Sequence, residues 1–148
     1  MAKVWVHPNY DKSSINYNFA VIRLTESIDF SQTWAIQKIC LPQSCSDGCS
    51  EYSRAFISGW GSSETNGYTS RYLRGTEVII TDRTQCSSQY PGFTNQMMCA
   101  GVSGGGADTC DGDSGGPLVV NDDGFYKICG VASHGLGCGS SSFHGVYS

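Results

Sequence analysis

Apolar residues along this chain come in short runs, and no run keeps the three-to-four-residue spacing of a long helix. Val4-Trp5-Val6 alternates weakly and stops before Pro8. Phe19 to Leu24 is mostly apolar, the mark of a buried strand. Ala55 to Trp60, Tyr72 to Thr81, Gln96 to Ala100 and Phe143 to Tyr147 read as further strands. Leu118 to Val120 and Phe125 to Ser133 read as a hairpin across Asn121-Asp122-Asp123-Gly124. Polar loops separate the runs: Asn9 to Asn18, Ser62 to Ser70 with a turn signal at Asn66-Gly67, Gly101 to Gly106, and His134 to Ser142. Residues 25–54 lack sustained periodicity and read as a linker. Thr81 or Asp82 can cap a short helix. The pattern predicts a loop-rich, all-β chain.

Composition narrows the function classes. At 148 residues the chain suits one domain or part of a two-lobed one. A net charge of −4 with no basic cluster disfavours nucleic acid and anionic membrane surfaces as partners. No apolar run approaches the length of a membrane span. Eight cysteines favour an oxidising compartment. Met1 to Pro8 holds no apolar leader, however. The two facts are reconciled if the chain is an interior piece of a longer secreted protein. The rival is a metal-binding protein using Cys45 and Cys49. It is weakened because the other cysteines are dispersed and no histidine stands at ligand spacing to that pair.

The densest chemical signal is Asp108-Thr109-Cys110-Asp111-Gly112-Asp113-Ser114-Gly115-Gly116-Pro117-Leu118. One serine lies between an acid and two glycines, ahead of an apolar run. Glycine lets backbone approach a ligand closely and take positive φ at little cost. A serine on such a turn exposes its hydroxyl beside backbone N–H groups. Acyl transfer needs that arrangement, a nucleophile with donors aimed at the developing oxyanion.

This string resembles the nucleophile segment of the trypsin-like serine endopeptidases, which share the chymotrypsin fold. Further landmarks follow in the order of that family: His7-Pro8-Asn9-Tyr10, Phe19-Ala20-Val21-Ile22-Arg23-Leu24, Ile39-Cys40-Leu41-Pro42, Ser58-Gly59-Trp60-Gly61, Met97-Met98-Cys99-Ala100-Gly101 and Gly145-Val146-Tyr147-Ser148. The resemblance implies a chymotrypsin-like Greek-key β-barrel over residues 55–148, the second of two and nearly complete. Residues 1–54 would be the last portion of the first barrel and the inter-lobe linker. The segment with the catalytic histidine would lie upstream, and a C-terminal helix downstream.

By the same resemblance, Ser114 is the nucleophile, and the N–H groups of Gly112 and Ser114 form the oxyanion hole. Asp108 is the base of a specificity pocket for arginine or lysine, with Gly135 and Gly145 as its small walls. Ser133-His134-Gly135 is the substrate-backbone segment, with His134 where the family usually has tryptophan. Asp113 is the buried acid that pairs with a new N-terminal ammonium on activation, so this chain is expected in a zymogen-like state. Asn18 stands at the triad aspartate position, a change worth about 10⁴-fold in rate in the family because the amide holds the wrong histidine tautomer. Asp11 shows no sign of substituting. His7, His134 and His144 match loop positions, none of them a base. Cys86–Cys99 and Cys110–Cys138 match family bridges, while Ala55 and Val120 occupy both ends of a missing one. Cys40 matches a tether for an N-terminal segment, and the partners of Cys45, Cys49 and Cys129 stay open.

The resemblance therefore implies a secreted endopeptidase acting on proteins or peptides with arginine or lysine at P1 and met by protein inhibitors, with no cofactor and no metal. The chain as written is expected not to hydrolyse peptides. The alternative is a non-catalytic homologue used as a binding module, for which Asn18, His134 and His144 speak.

Overall fold

A computed structural model describes residues 3–43 and 48–148. Two bodies of strands follow one another along the chain. The first is a two-stranded antiparallel ribbon of β1 (Lys3–Val6) and β2 (Ala20–Arg23), with Trp5 opposite Val21. The second is a closed antiparallel barrel, built from β3 (Arg54–Gly59), β4 (Arg74–Ile80), β5 (Met98–Gly101), β6 (Pro117–Asp122), β7 (Phe125–His134) and β8 (Gly145–Tyr147). Around the barrel the order is β3-β4-β5-β8-β7-β6, and β6 pairs back onto β3. The step from β5 to β8 rather than to β6 is the non-sequential connection of a Greek-key barrel.

Side chains that alternate along a strand point to opposite faces. Ala55 and Ile57 on β3, Val78 and Ile80 on β4, and Leu118 and Val120 on β6 therefore face inward, where they meet Ala100, Ala132 and Tyr147 in one core. Residues between them, such as Phe56 and Glu77, face out. Phe56 pairs with Val119 and Ile57 with Leu118, so the same register sets Ala55 opposite Val120. The two positions without cysteine thus fill the barrel with apolar groups instead.

A second, smaller core lies outside the barrel. Helix α1 (Arg83–Gln89) begins at Asp82, whose carboxylate accepts from the Gln85 N–H at 2.9 Å and caps the helix. The helix turns Cys86 inward, where it is bonded to Cys99 of β5 and packs with Tyr90, Met97 and Val146. Cys110 is bonded to Cys138. Cys49 is bonded to Cys129, a bridge of 80 residues' separation that ties the connecting segment to β7. Cys40 is free and exposed, and Cys45 lies outside the described residues.

One expectation is overturned. Phe19 to Leu24 does form a strand, but it is not buried: Val21, Ile22 and Leu24 are each half exposed or more. A ribbon of two strands has no second layer against which to bury either face.

Candidate active site

The loop from Asp108 to Gly116 hangs between the end of β5 and the start of β6 and is held by backbone bonds. Gly116 N–H donates to Asp113 C=O at 2.8 Å, Asp113 N–H to Cys110 C=O at 2.9 Å, and Gly115 N–H to Ala132 C=O on β7 at 2.9 Å. Gly112 sits at φ +96° and Gly115 at φ +86°, values that a side chain would strain. Ser114 lies between them, exposed, and its hydroxyl has no protein partner among the described residues. The N–H groups of Gly112 and Ser114 also meet no protein acceptor there. A hydroxyl and two uncommitted donors on a fixed loop can serve an acyl group and its oxyanion.

Ser114 opens on a cleft of about 420 Å³, lined among others by Gly112, Ser133, His134, Gly135 and Cys138. β7 supplies Ser133 and His134 at its end, beside the serine loop. Asn18 reaches this wall from the loop before β2. Its Nδ2 donates to Ser133 Oγ at 2.9 Å across 115 residues of sequence. Ser133 Oγ in turn lies 3.1 Å from His134 Nδ1. The structure thus brings together Ser114, Gly112, Asn18, Ser133, His134 and Gly135.

Asp108 and Gly145 are not part of that lining. Asp108 faces a neighbouring cavity of about 630 Å³ with Gly59, Gly61, Asp113 and Gly139. Its Oδ1 accepts from the Thr109 N–H at 2.8 Å. Burial pushes its carboxyl up to about 6, against the pull of backbone donors from Thr109, Gly139 and Gly145. Gly145 is buried directly against it, and a Cβ there would overlap the Asp108 carboxylate. Tyr147 Oη lies 3.3 Å from Thr109 Oγ1. Thr109 and Cys110 line both cavities, so the cavity of Asp108 adjoins the Ser114 cleft there.

Asp113 is half-buried rather than fully buried, and it has partners: its Oδ1 accepts from Gly61 N–H at 2.7 Å and its Oδ2 from Cys110 N–H at 3.0 Å. A carboxylate held by two backbone donors has lost part of its need for an ammonium. A Cβ on Gly59 or Gly61 would overlap this carboxylate, so both glycines make room for it.

The histidines divide sharply. His7 stacks on Tyr17 at 4.5 Å. His144 is not an ordinary loop histidine: it is 7% exposed, with Nδ1 2.7 Å from Thr81 Oγ1 and its carbonyl accepting from Tyr90 Oη at 2.7 Å. Burial holds it below the usual histidine range. Of the three, only His134 lines the Ser114 cleft. Asp11 has its oxygens taken by Ser13 and Ser14 in a local turn, which pulls its carboxyl down to about 2.

Sequence reasoning missed Tyr90 and Thr65. Tyr90 meets His134 edge-on at 5.9 Å and accepts from the Leu136 N–H, while Thr65 Oγ1 accepts from the Cys138 N–H at 3.1 Å. Both lie in segments with no motif, so only their spatial position reveals them. Cys110, Asp111 and Cys138 cluster as metal-binding residue types, but both sulfurs are spent in one disulfide and offer no thiolate.

Comparison with known proteins agrees with this geometry. Trypsin II-P29 of Gallus gallus is 37% identical over 144 residues, covering 96% of this chain and 54% of that protein. Trypsin 5G1 of Aedes aegypti is 38% identical over 149 residues, covering 99% of this chain and 53% of that protein. The chain thus spans about half the length of the curated relatives it matches. The family model described as Trypsin matches residues 1–148. With a closed all-β barrel, a glycine-flanked serine on its rim and this match along its whole length, the chain belongs to the trypsin family.

Proposed function

We propose that this chain carries the nucleophile lobe of a trypsin-like serine endopeptidase that cleaves after arginine or lysine through an acyl-enzyme. The observation that carries the reading is Ser114, whose exposed hydroxyl, like the N–H groups of Gly112 and Ser114 beside it, has no protein partner among the described residues. In this reading Ser114 attacks the scissile carbonyl, the two N–H groups hold the oxyanion, and Asp108, with Gly135 and Gly145 as the small walls of its pocket, selects a cationic side chain in the cavity that adjoins the Ser114 cleft. Ser133, His134 and Gly135 align the substrate backbone, and Asp113 is the carboxylate whose pairing changes on activation. Residues 1–54 belong to the first barrel and the linker, residues 55–148 to the second barrel. The three disulfides among the described residues fit secretion.

The chain alone does not turn over peptides in this reading. In this reading none of His7, His134 and His144 acts as the base, and Asn18 presents an amide where the triad needs a carboxylate. The test combines turnover and binding. The purified chain is expected to leave an arginyl amide intact and to bind a small aromatic amidinium that Asp108→Asn no longer binds. Turnover that disappears in Ser114→Ala would refute the first statement. Equal amidinium binding by Asp108→Asn would refute the assigned specificity. No amidinium binding by the wild-type chain would favour the second reading, a non-catalytic binding module, for which Asn18 and His134 speak.

A further inference from the structure

Asn18, Ser133 and His134 form a hydrogen-bonded series that ends in the Ser114 cleft. Asn18 Nδ2 donates to Ser133 Oγ at 2.9 Å, and that oxygen lies 3.1 Å from His134 Nδ1. A hydroxyl has one proton to give and lone pairs with which to receive. The Asn18 amide fills one lone pair. Among the described residues, Nδ1 is then the only protein group left to take the hydroxyl proton. A neutral imidazole that accepts at one nitrogen carries its proton on the other. Burial lowers the His134 pKa, which keeps the ring neutral near neutral pH.

We propose that Asn18, acting through Ser133, holds His134 as the Nε2–H tautomer, so that the cleft beside Ser114 presents an N–H donor and not a basic nitrogen. Asn18 and Ser133 are positioning residues here. His134 lines the cleft, Tyr90 meets its ring edge-on, and Nε2 has no protein partner among the described residues. The group it fits is an acceptor on the occupant, a peptide carbonyl or a carboxylate.

A carboxylate at position 18 would invert the series. A carboxylate only accepts. The Ser133 hydroxyl would turn its proton to it, Ser133 Oγ would receive Nδ1–H, and Nε2 would show a lone pair to the cleft. One amide-to-carboxylate change thus decides whether the cleft's histidine donates or accepts. The inference does not depend on the hydrolytic reading, because its test detects protons and not turnover.

The test is long-range proton–nitrogen NMR on the ¹⁵N-labelled full chain at mildly alkaline pH, where imidazolium is unpopulated. Protonated and bare ring nitrogens differ by tens of ppm. The wild-type chain is expected to show Nε2 protonated, and Asn18→Asp to show Nδ1 protonated. In the Ser133→Ala background, Asn18→Asp is expected to cause no reversal. A wild-type Nδ1–H tautomer, or an unchanged tautomer in Asn18→Asp, overturns the proposal. The His144 resonances, fixed by its bond to Thr81, report whether each variant is folded. Should Asn18→Asp not fold, Ser133→Ala alone decides: its Nδ1 signal is expected to move to the unbonded position, and no movement overturns the proposal.

Discussion

Replacing both Cys49 and Cys129 with alanine should cost this chain more stability than removing either of the other two bridges among the described residues. The bridge closes a loop of 80 residues, against 28 for Cys110–Cys138 and 13 for Cys86–Cys99. In the chain-entropy model these lengths correspond to about 4.5, 3.6 and 2.9 kcal/mol. The other two bridges shorten the effective path between Cys49 and Cys129 to roughly 60 residues, which lowers the first figure by only about 0.3 kcal/mol. Cys49 is 7% exposed and packs in the barrel core, so lost sulfur contacts add to the entropic term. A loss of about 4 kcal/mol is a large share of the 5–15 kcal/mol typical of a domain. Equilibrium unfolding in urea, with all three double-alanine variants measured under one condition, gives the ranking. A Cys49/Cys129 variant less destabilised than the Cys86/Cys99 variant would refute the reasoning, and so would peptide mapping that joined Cys129 to another cysteine.

Four further outcomes are expected from buried contacts of this chain. Amidinium binding should depend on the Asp108 carboxylate, whose pKa lies near 6 because of burial, so affinity measured by calorimetry should fall as pH drops through 6. The same raised pKa means that the folded chain binds the proton more readily than the unfolded chain, so Asp108 makes stability rise as pH falls from about 6 towards 4; a urea midpoint insensitive to Asp108→Asn over that window would count against it. Gly145→Ala should abolish amidinium binding, because the new Cβ overlaps the Asp108 carboxylate and also comes within 3.1 Å of Thr109 Oγ1; unaltered calorimetric affinity would show that the pair is not packed this way. Thr81→Val should cost about 1–3 kcal/mol in urea unfolding by leaving His144 Nδ1 buried and unpaired, whereas a loss within error would mean that the contact at 2.7 Å contributes nothing.

Much of the barrel was legible in the residues. Period-two burial along Arg54–Gly59 and the turn at Asp123-Gly124, where both residues take positive φ, follow from local preferences. So does the Asp82 cap, since a side-chain carboxylate serves N–H groups only a few residues away. Ser114 and its glycines stood out for the same reason: the loop's shape is written within a dozen residues. The apolar run at Phe19–Leu24 misled, because apolarity signals a preference for burial and cannot supply the layer that would bury it.

The sequence by itself determined the all-β character, the positions of the strands and the loop that exposes Ser114, because each depends on neighbours close along the chain. Only the tertiary structure decided that Cys49 meets Cys129, that Asn18 touches Ser133, that His134 shares the Ser114 cleft and that Asp108 faces an adjoining cavity. Those contacts join residues brought together by barrel closure and loop packing, and the identity of a residue does not encode which distant residue the closed barrel will set beside it.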